Sequence, residues 1–292
     1  MKTKESKQSH NTIAKVGVIL RPDSPELKPT FENLCDIFKA NAMQVRLDSK
    51  SAKSLNLRGE DFDDIIAWAD ILLSIGGDGT LIALIRKCYG KNIACMGINA
   101  GRLGFLTAMN PNELKDFVPK LKAGEYDIKE HLMLECEIIR EGKKIASFYA
   151  FNEFFISKQG ISGIIDIEAK IEGKIFNTYF CDALIIATPT GSTAYNISAG
   201  GCVVYPYCHN ILLTPIAAHS LTQRPLIIDS QMRLEFSVKN PATLLVDGQQ
   251  SQDILPKDRI LIHSSQYSAP LIYPKERNYF QILREKFKWG EL

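Results

Sequence analysis

At 292 residues the chain exceeds the usual span of a single hydrophobic core, so two domains sharing a cleft are expected. Its 45% hydrophobic and 23% charged residues are those of a globular protein, and a formal charge of +2, with Lys and Arg scattered rather than striped, argues against nucleic acid as a partner. The first residues, MKTKESKQSHNTIA, carry no apolar signal segment, and no run approaches the roughly 18 apolar residues of a membrane span, so a disordered tail over 1–14, a cytoplasmic location and no membrane partner are expected.

Lys15 to Leu20 (KVGVIL) has the unbroken apolar character of a buried strand. After a polar turn, Phe31, Leu34, Cys35, Phe38 and Ala42 recur at helical spacing, and MQVRL from Met43 reads as a second strand. Asp61 to Asp70 is a further helical segment. The apolar run ILLSI from Ile71 then stops at Gly76-Gly77-Asp78-Gly79-Thr80, after which Leu81, Ile82, Leu84 and Ile85 resume helical spacing. Strand, glycine turn and helix N-terminus together make an anion cradle. The glycines let backbone N–H groups approach a phosphate, and the helix end adds partial positive charge. An aspartate there repels the anion, so Asp78 is a candidate for accepting a proton from an attacking hydroxyl or for holding Mg²⁺. The plain alternative is a helix cap, which needs one such residue and not three glycines.

Asn92 to Ile98 is another apolar strand, and Asn99 to Thr107 (NAGRLGFLT) a second glycine-rich loop that either lines the same cleft or is a packed turn. Pro111 to Ala123 is amphipathic and ends at Gly124. Strands alternating with helices imply a parallel sheet with ligands at the carboxyl ends of its strands, where Asp78 stands. From Ile128 the pattern turns to β. HLMLECEIIR and KIASFYAFNEFFIS flank the turn at Glu141-Gly142, DIEAKIEGKIFNTYF repeats the device, and LEFSVKNPATLLVDG and DRILIHSS continue it, as in a sandwich. NYFQILREKFKW near the end is helical and is expected to return to the first domain. The division is therefore 15–124 plus 268–292 as an α/β domain with a parallel sheet, and 125–267 as a β-rich, sandwich-like domain.

Two features of the second half carry chemistry. Asn152 and Glu153 interrupt the apolar run YAFNEFFIS, where alternation puts at least one of them inside; a buried carboxylate needs partners, and ribose hydroxyls suit it. The other reading is a strand edge with both side chains in water. CDALIIATPTGSTAYNISAGG runs an apolar strand into a Thr/Pro/Gly/Ser loop rich in hydroxyls and free N–H groups, followed by Tyr195, an aromatic face for a base, although a solvated turn has the same composition. Asp182, just before that strand, is a turn residue or a polar hook. The seven cysteines form no CxxC pair and read as reduced thiols; the spacing of Cys202, Cys208 and His209 fits no zinc pattern.

With these motifs in place the sequence resembles the NAD kinases over nearly its whole length after the tail. GGDGT at Gly76 also occurs in diacylglycerol and sphingosine kinases. GINAGRLGFLT from Gly97, NE at Asn152, DALIIATPTGSTAYNISAGG from Asp182, TPIAAHSLTQRPL from Thr214 and VDGQ from Val246 are together similar to NAD-kinase blocks in the same order. The resemblance implies transfer of the γ-phosphate of ATP, or of polyphosphate in some members, to the 2′-hydroxyl of the adenosine ribose of NAD, with Asp78 as general base. It implies phosphate contacts from Gly76, Gly77 and Thr80. It implies substrate contacts from Gly79, Asn152, Glu153, Asp182, Thr193, Ala194, Tyr195, Asn196, Ile197, Ser198 and Gln249. Mg²⁺ or another divalent ion is expected to arrive with ATP and not at a fixed protein site, and a homo-oligomer, tetramer or dimer, is expected. Ala100, Arg102, Gly163, Phe180, Ala183 and Ala218 depart from the usual residues of the family. Two competitors remain at this point. A lipid kinase shares GGDGT but has no reason for TPTGSTAY to follow NE, and a nucleotide-binding regulator has no need of Asp78.

Overall fold

The computed structural model describes residues 13–101, 104–160, 163–220 and 222–290, so the expected tail through residue 12, and Arg102, lie outside it. Ile13 is buried in an apolar core and the Ala14 N–H is bound by the Asp70 carboxylate at 2.8 Å, so ordered structure begins before residue 15. The chain divides into two compact units: one comprises the chain up to Leu84, Lys91–Lys129 and Leu271 onward, the other Ile85–Gly90 and Glu130–Pro270. Among the described residues no helix is long and apolar enough to cross a membrane.

The first unit is an α/β layer structure. Its opening strands are β1 (Lys15–Leu20), β2 (Gln44–Leu47), β3 (Ile71–Gly76), β4 (Ala94–Asn99) and β5 (Tyr126–His131). All six residues of β3 are buried, as both faces of a central parallel strand require. The order β2-β1-β3-β4 is parallel throughout, which leaves the carboxyl ends of β3 and β4 side by side with Gly76 paired to Asn99. Helix α1 (Lys28–Ala40) buries Phe31, Leu34 and Phe38 against the sheet. Helix α2 (Ser49–Leu55) has no counterpart in the sequence reading, because SKSAKSL offers little apolar periodicity. The Asp48 carboxylate caps it by accepting from the Ser51 N–H, and Asn56 ends it in the left-handed region. Helix α3 (Phe62–Trp68) is capped by Asp61, α4 (Asp78–Lys87) follows the glycine turn, and α5 (Leu114–Lys122) is entered through a 3-10 turn at Pro111–Glu113.

The second unit is a sandwich of two antiparallel six-stranded sheets. Its strands in chain order are β6 (Leu134–Arg140), β7 (Lys143–Ala150), β8 (Glu153–Lys158), β9 (Ile165–Ile171), β10 (Lys174–Cys181), β11 (Ala183–Ala187), β12 (Asn210–Ile216), β13 (Leu226–Asp229), β14 (Leu234–Val238), β15 (Ala242–Val246), β16 (Gln250–Ile254) and β17 (Arg259–Ser264). One sheet runs β10-β9-β14-β17-β6-β7 and the other β13-β12-β11-β8-β15-β16. Inward residues alternate along each strand, as with Leu134, Cys136 and Ile138 on β6, and meet Phe154, Ile156, Leu184 and Ile186 from the other sheet in one core. YAFNEFFIS is not one strand: it breaks at Phe151-Asn152, so that β7 belongs to one sheet and β8 to the other. The short helix α6 (Tyr195–Ser198) follows β11.

The chain then re-enters the first unit as β18 (Ala269–Pro274), which lies between β4 and β5, and ends with α7 (Tyr279–Phe287), capped by Asn278. Phe236 on β14 is fully buried in the sandwich core, and Phe236→Ala is expected to cost about 3–5 kcal/mol in chemical denaturation. A loss below about 1 kcal/mol would show that the two sheets do not pack through this side chain.

Candidate active site

In the first unit the site is built on Asp78. Residue 76 ends β3 and residue 78 begins α4, so the carboxylate stands at the carboxyl edge of the parallel sheet. The loop after β4 wraps it with three consecutive amides: Phe105 N–H donates to Oδ2 at 2.8 Å, and Leu106 and Thr107 N–H donate to Oδ1 at 3.2 and 3.1 Å. Gly104 makes the wrap possible, since a β-carbon there would fall 2.0 Å from Oδ1. A carboxylate has about four lone-pair directions, and these bonds use two on Oδ1 and one on Oδ2. The second glycine loop is thus the holder of Asp78, a role that neither reading of NAGRLGFLT had given it.

The three glycines of the turn divide by role. At Gly76 a β-carbon would lie 2.3 Å from the Thr80 Oγ1, so this glycine, expected to touch phosphate, makes room for Thr80. At Gly77 and Gly79 it would meet nothing within 4 Å, and neither residue has a positive φ. Among the described residues, packing does not demand glycine at these two positions, and Gly79 is exposed.

In the second unit the chain break at Phe151-Asn152 is held by another carboxylate. Asp247, in the turn after β15, accepts from the N–H groups of Phe151, Asn152 and Glu153 at 3.0, 2.8 and 3.0 Å, and its own N–H donates to the Glu153 carbonyl. Arg86 stands 3.6 Å from Asp247 and donates to the Gln249 side chain at 3.2 Å. Removing the Asp247 carboxylate would strand three N–H groups at about 1–3 kcal/mol each. Asn152 and Glu153 are both buried, which excludes the solvated-edge reading, and among the described residues Asn152 Oδ1 and Glu153 Oε2 have no hydrogen-bond partner. Burial, and then the neighbouring charge of Asp247, push the Glu153 carboxyl from 4.5 up to about 8. Burial also raises Asp247, but three backbone donors and Arg86 oppose it, so of the two Glu153 is the one that holds a proton.

The TPTGST loop is bound to this segment. Thr188 donates its hydroxyl to the Phe151 carbonyl at 2.7 Å and its N–H to the Asn152 carbonyl at 2.8 Å, and a β-carbon at Gly191 would lie 2.2 Å from that same oxygen. Ala187 pairs with Glu153 across β11 and β8. Thr193, Ala194 and Ile197 are half-buried and Ser198 exposed around Tyr195, whose ring is 49% exposed and rests 5.5 Å from that of Phe155. Asn196, expected among the substrate contacts, is fully buried. Its amide donates to the Ser192 and Cys202 carbonyls and accepts from the Thr214 hydroxyl, so the side chain braces the loop. Asp182 is half-exposed and paired with Lys158 at 2.8 Å. The structure therefore gathers Asn152, Glu153, the 188–198 loop and Gln249 within the second unit. It adds three residues the sequence reading did not single out: Asp247, Arg86 and Thr188. The only sequence signal for Asp247 is its place in VDGQ at the end of an apolar strand.

Residues 16–126 match the family model of the ATP-NAD kinase N-terminal domain, and residues 151–273 that of the ATP-NAD kinase C-terminal domain. The NAD kinase of Helicobacter hepaticus is 50% identical over 298 residues, covering 97% of this chain and 99% of that protein. Solved structures that share the fold include the following two. A yeast NADH kinase complexed with NADH superposes with a TM-score of 0.87 at 22% identity, covering 97% of this chain and 90% of its own. An NAD kinase from Archaeoglobus fulgidus in complex with ATP gives 0.76 at 24% identity, covering 94% and 98%. Both domain models in order along the chain, and a relative half identical from end to end, leave one assignment: the chain belongs to the NAD kinase family, enzymes that phosphorylate NAD with ATP.

Proposed function

We propose that the enzyme transfers the γ-phosphoryl group of ATP, taken as its complex with Mg²⁺ or another divalent ion, to the 2′-hydroxyl of the adenosine ribose of NAD. The new bond joins the ribose oxygen to phosphorus, the bond from phosphorus to the β,γ-bridging oxygen breaks, ADP leaves, and Asp78 takes the hydroxyl proton. The observation that carries this reading is the hydrogen bonding of Asp78. Three amides fix its carboxylate and, among the described residues, leave one lone-pair direction, on Oδ2, for a single incoming donor. The yeast neighbour that holds NADH and the archaeal one that holds ATP support the choice of substrates. The space beside Gly77 and Gly79, where a β-carbon would meet nothing within 4 Å, suits phosphate oxygens.

Asn152 and Glu153 hold the adenosine ribose, and Tyr195 offers its exposed face to the base. A Glu153 carboxyl protonated at neutral pH presents one donor and one acceptor, and so pairs with a ribose hydroxyl in both senses, where a carboxylate only accepts. Thr193, Ala194, Ile197 and Ser198 border the same nucleoside, Gln249 contributes from its turn, and Asp182, with its Lys158 partner, contacts the nicotinamide end. Polyphosphate as an alternative donor is tested in the same assay by replacing ATP.

Incubation with NAD, Mg²⁺ and ATP, read out by an NADP-specific dehydrogenase, is expected to show NADP formation that falls by about 10²–10⁴-fold in kcat for Asp78→Asn. Turnover by that variant within tenfold of wild type would remove Asp78 from the proton transfer. The folded chain keeps the Glu153 proton up to about pH 8, while the unfolded chain releases it near 4.5. Stability is therefore expected to fall as pH rises through that interval and to level off above it. Glu153→Gln should flatten this fall in melting temperatures taken from pH 5 to 9; an unchanged slope would place the buried proton elsewhere.

A further inference from the structure

We propose that Arg277, in the segment that returns to the first unit, is a positioning residue for Asp78. The proposal rests on the assignment of Asp78 as proton acceptor. Arg277 Nη2 donates to the carbonyl oxygen of Phe105. That carbonyl and the Leu106 N–H belong to one planar peptide group, and the N–H donates to Asp78 Oδ1. A guanidinium on one end of an amide and a carboxylate on the other form a single line of hydrogen bonds. Fixing the carbonyl fixes the direction of the N–H, and the cationic donor polarises the amide toward the anion it binds.

The rest of the returning segment holds this arrangement in place. The Arg277 guanidinium lies over the Tyr273 ring of β18, with 4.0 Å from its central carbon to the ring centre. The Phe105 ring packs 5.5 Å from Phe287 of α7, and the Lys286 ammonium lies 5.7 Å from the centre of the same ring. Phe105 therefore meets the returning segment through both its carbonyl and its ring, while its N–H binds Asp78. Arg277 also carries a buried Nε for which the described residues supply no acceptor, a cost that a purely structural surface arginine would not bear.

The experiment compares full-length wild type, Arg277→Gln and Arg277→Lys by kcat and KM for NAD and ATP, by amide hydrogen exchange over residues 104–107 and by thermal melting. Arg277→Gln is expected to lower kcat about tenfold with both KM values within about twofold, and to speed exchange at the Leu106 amide. Arg277→Lys keeps a cationic donor and should recover most of the lost kcat. Wild-type kcat in Arg277→Gln, a loss confined to KM, or a lysine variant no better than glutamine would overturn the proposal. Should Arg277→Gln not fold, Arg277→Met, which removes the donor but keeps an apolar stem over Tyr273, takes its place: a reduced kcat with faster exchange at Leu106 supports the role, and wild-type values of either overturn it. Asp78→Asn, assayed beside them, separates the two readings. Wild-type turnover in that variant removes the proton acceptor, while exchange at Leu106 still reports whether Arg277 holds the loop.

Discussion

Each unit is ordered at its functional end by one carboxylate that gathers three consecutive backbone N–H groups. Asp78 binds the amides of residues 105–107, and Asp247 those of 151–153. Three successive amides point at one acceptor only when the chain turns around it, so each aspartate fixes the path of a loop as well as its position. In water these N–H groups would be solvated; here an anion satisfies them, with the stronger bonds that charge allows. What differs is the company each carboxylate keeps. Asp247 is shut away, is faced by Arg86, and acts on other residues. Asp78 stands at the carboxyl edge of the parallel sheet and accepts two of its bonds on Oδ1 and one on Oδ2.

Much of this architecture was legible in the chain. ILLSIGGDGT announces strand, turn and helix through an abrupt change of period, and β3 and α4 follow it closely. The alternation in HLMLECEIIR and DIEAKIEGKIF marks sandwich strands, and β6, β9 and β10 form there. Asn152 and Glu153 stood out as polar residues in an apolar run. The change of sheet between them and β7 did not, because no glycine or proline announces the break at Phe151-Asn152. The acceptor that stabilises that break, Asp247, lies 95 residues away from Asn152 in sequence, and local pattern carries no trace of so distant a bond. The bond from the Thr214 hydroxyl to Asn196 is likewise made between separate elements and left no mark in the local pattern.

The protonation of Glu153 shows how far composition is from chemistry. A glutamate read from the sequence alone suggests an anion with two acceptors. Burial, and then the charge of the second carboxylate beside it, push this one up to about 8, a neutral acid in the free enzyme at neutral pH. The same neighbour thus builds the loop that carries Glu153 and adds its charge to the burial that keeps the proton there.

The position of β18 bears on how the molecule is made. The strand fills the place between β4 and β5, yet those two strands are complete in the chain by residue 131, whereas β18 runs from residue 269 to 274. A ribosome synthesising this protein therefore releases most of the first unit with a gap in its sheet, then nearly all of the second unit, and only afterwards the strand that fills the gap. The sandwich, continuous in sequence apart from residues 85–90, is able to close while translation proceeds. The unit that carries Asp78 is begun first and completed last.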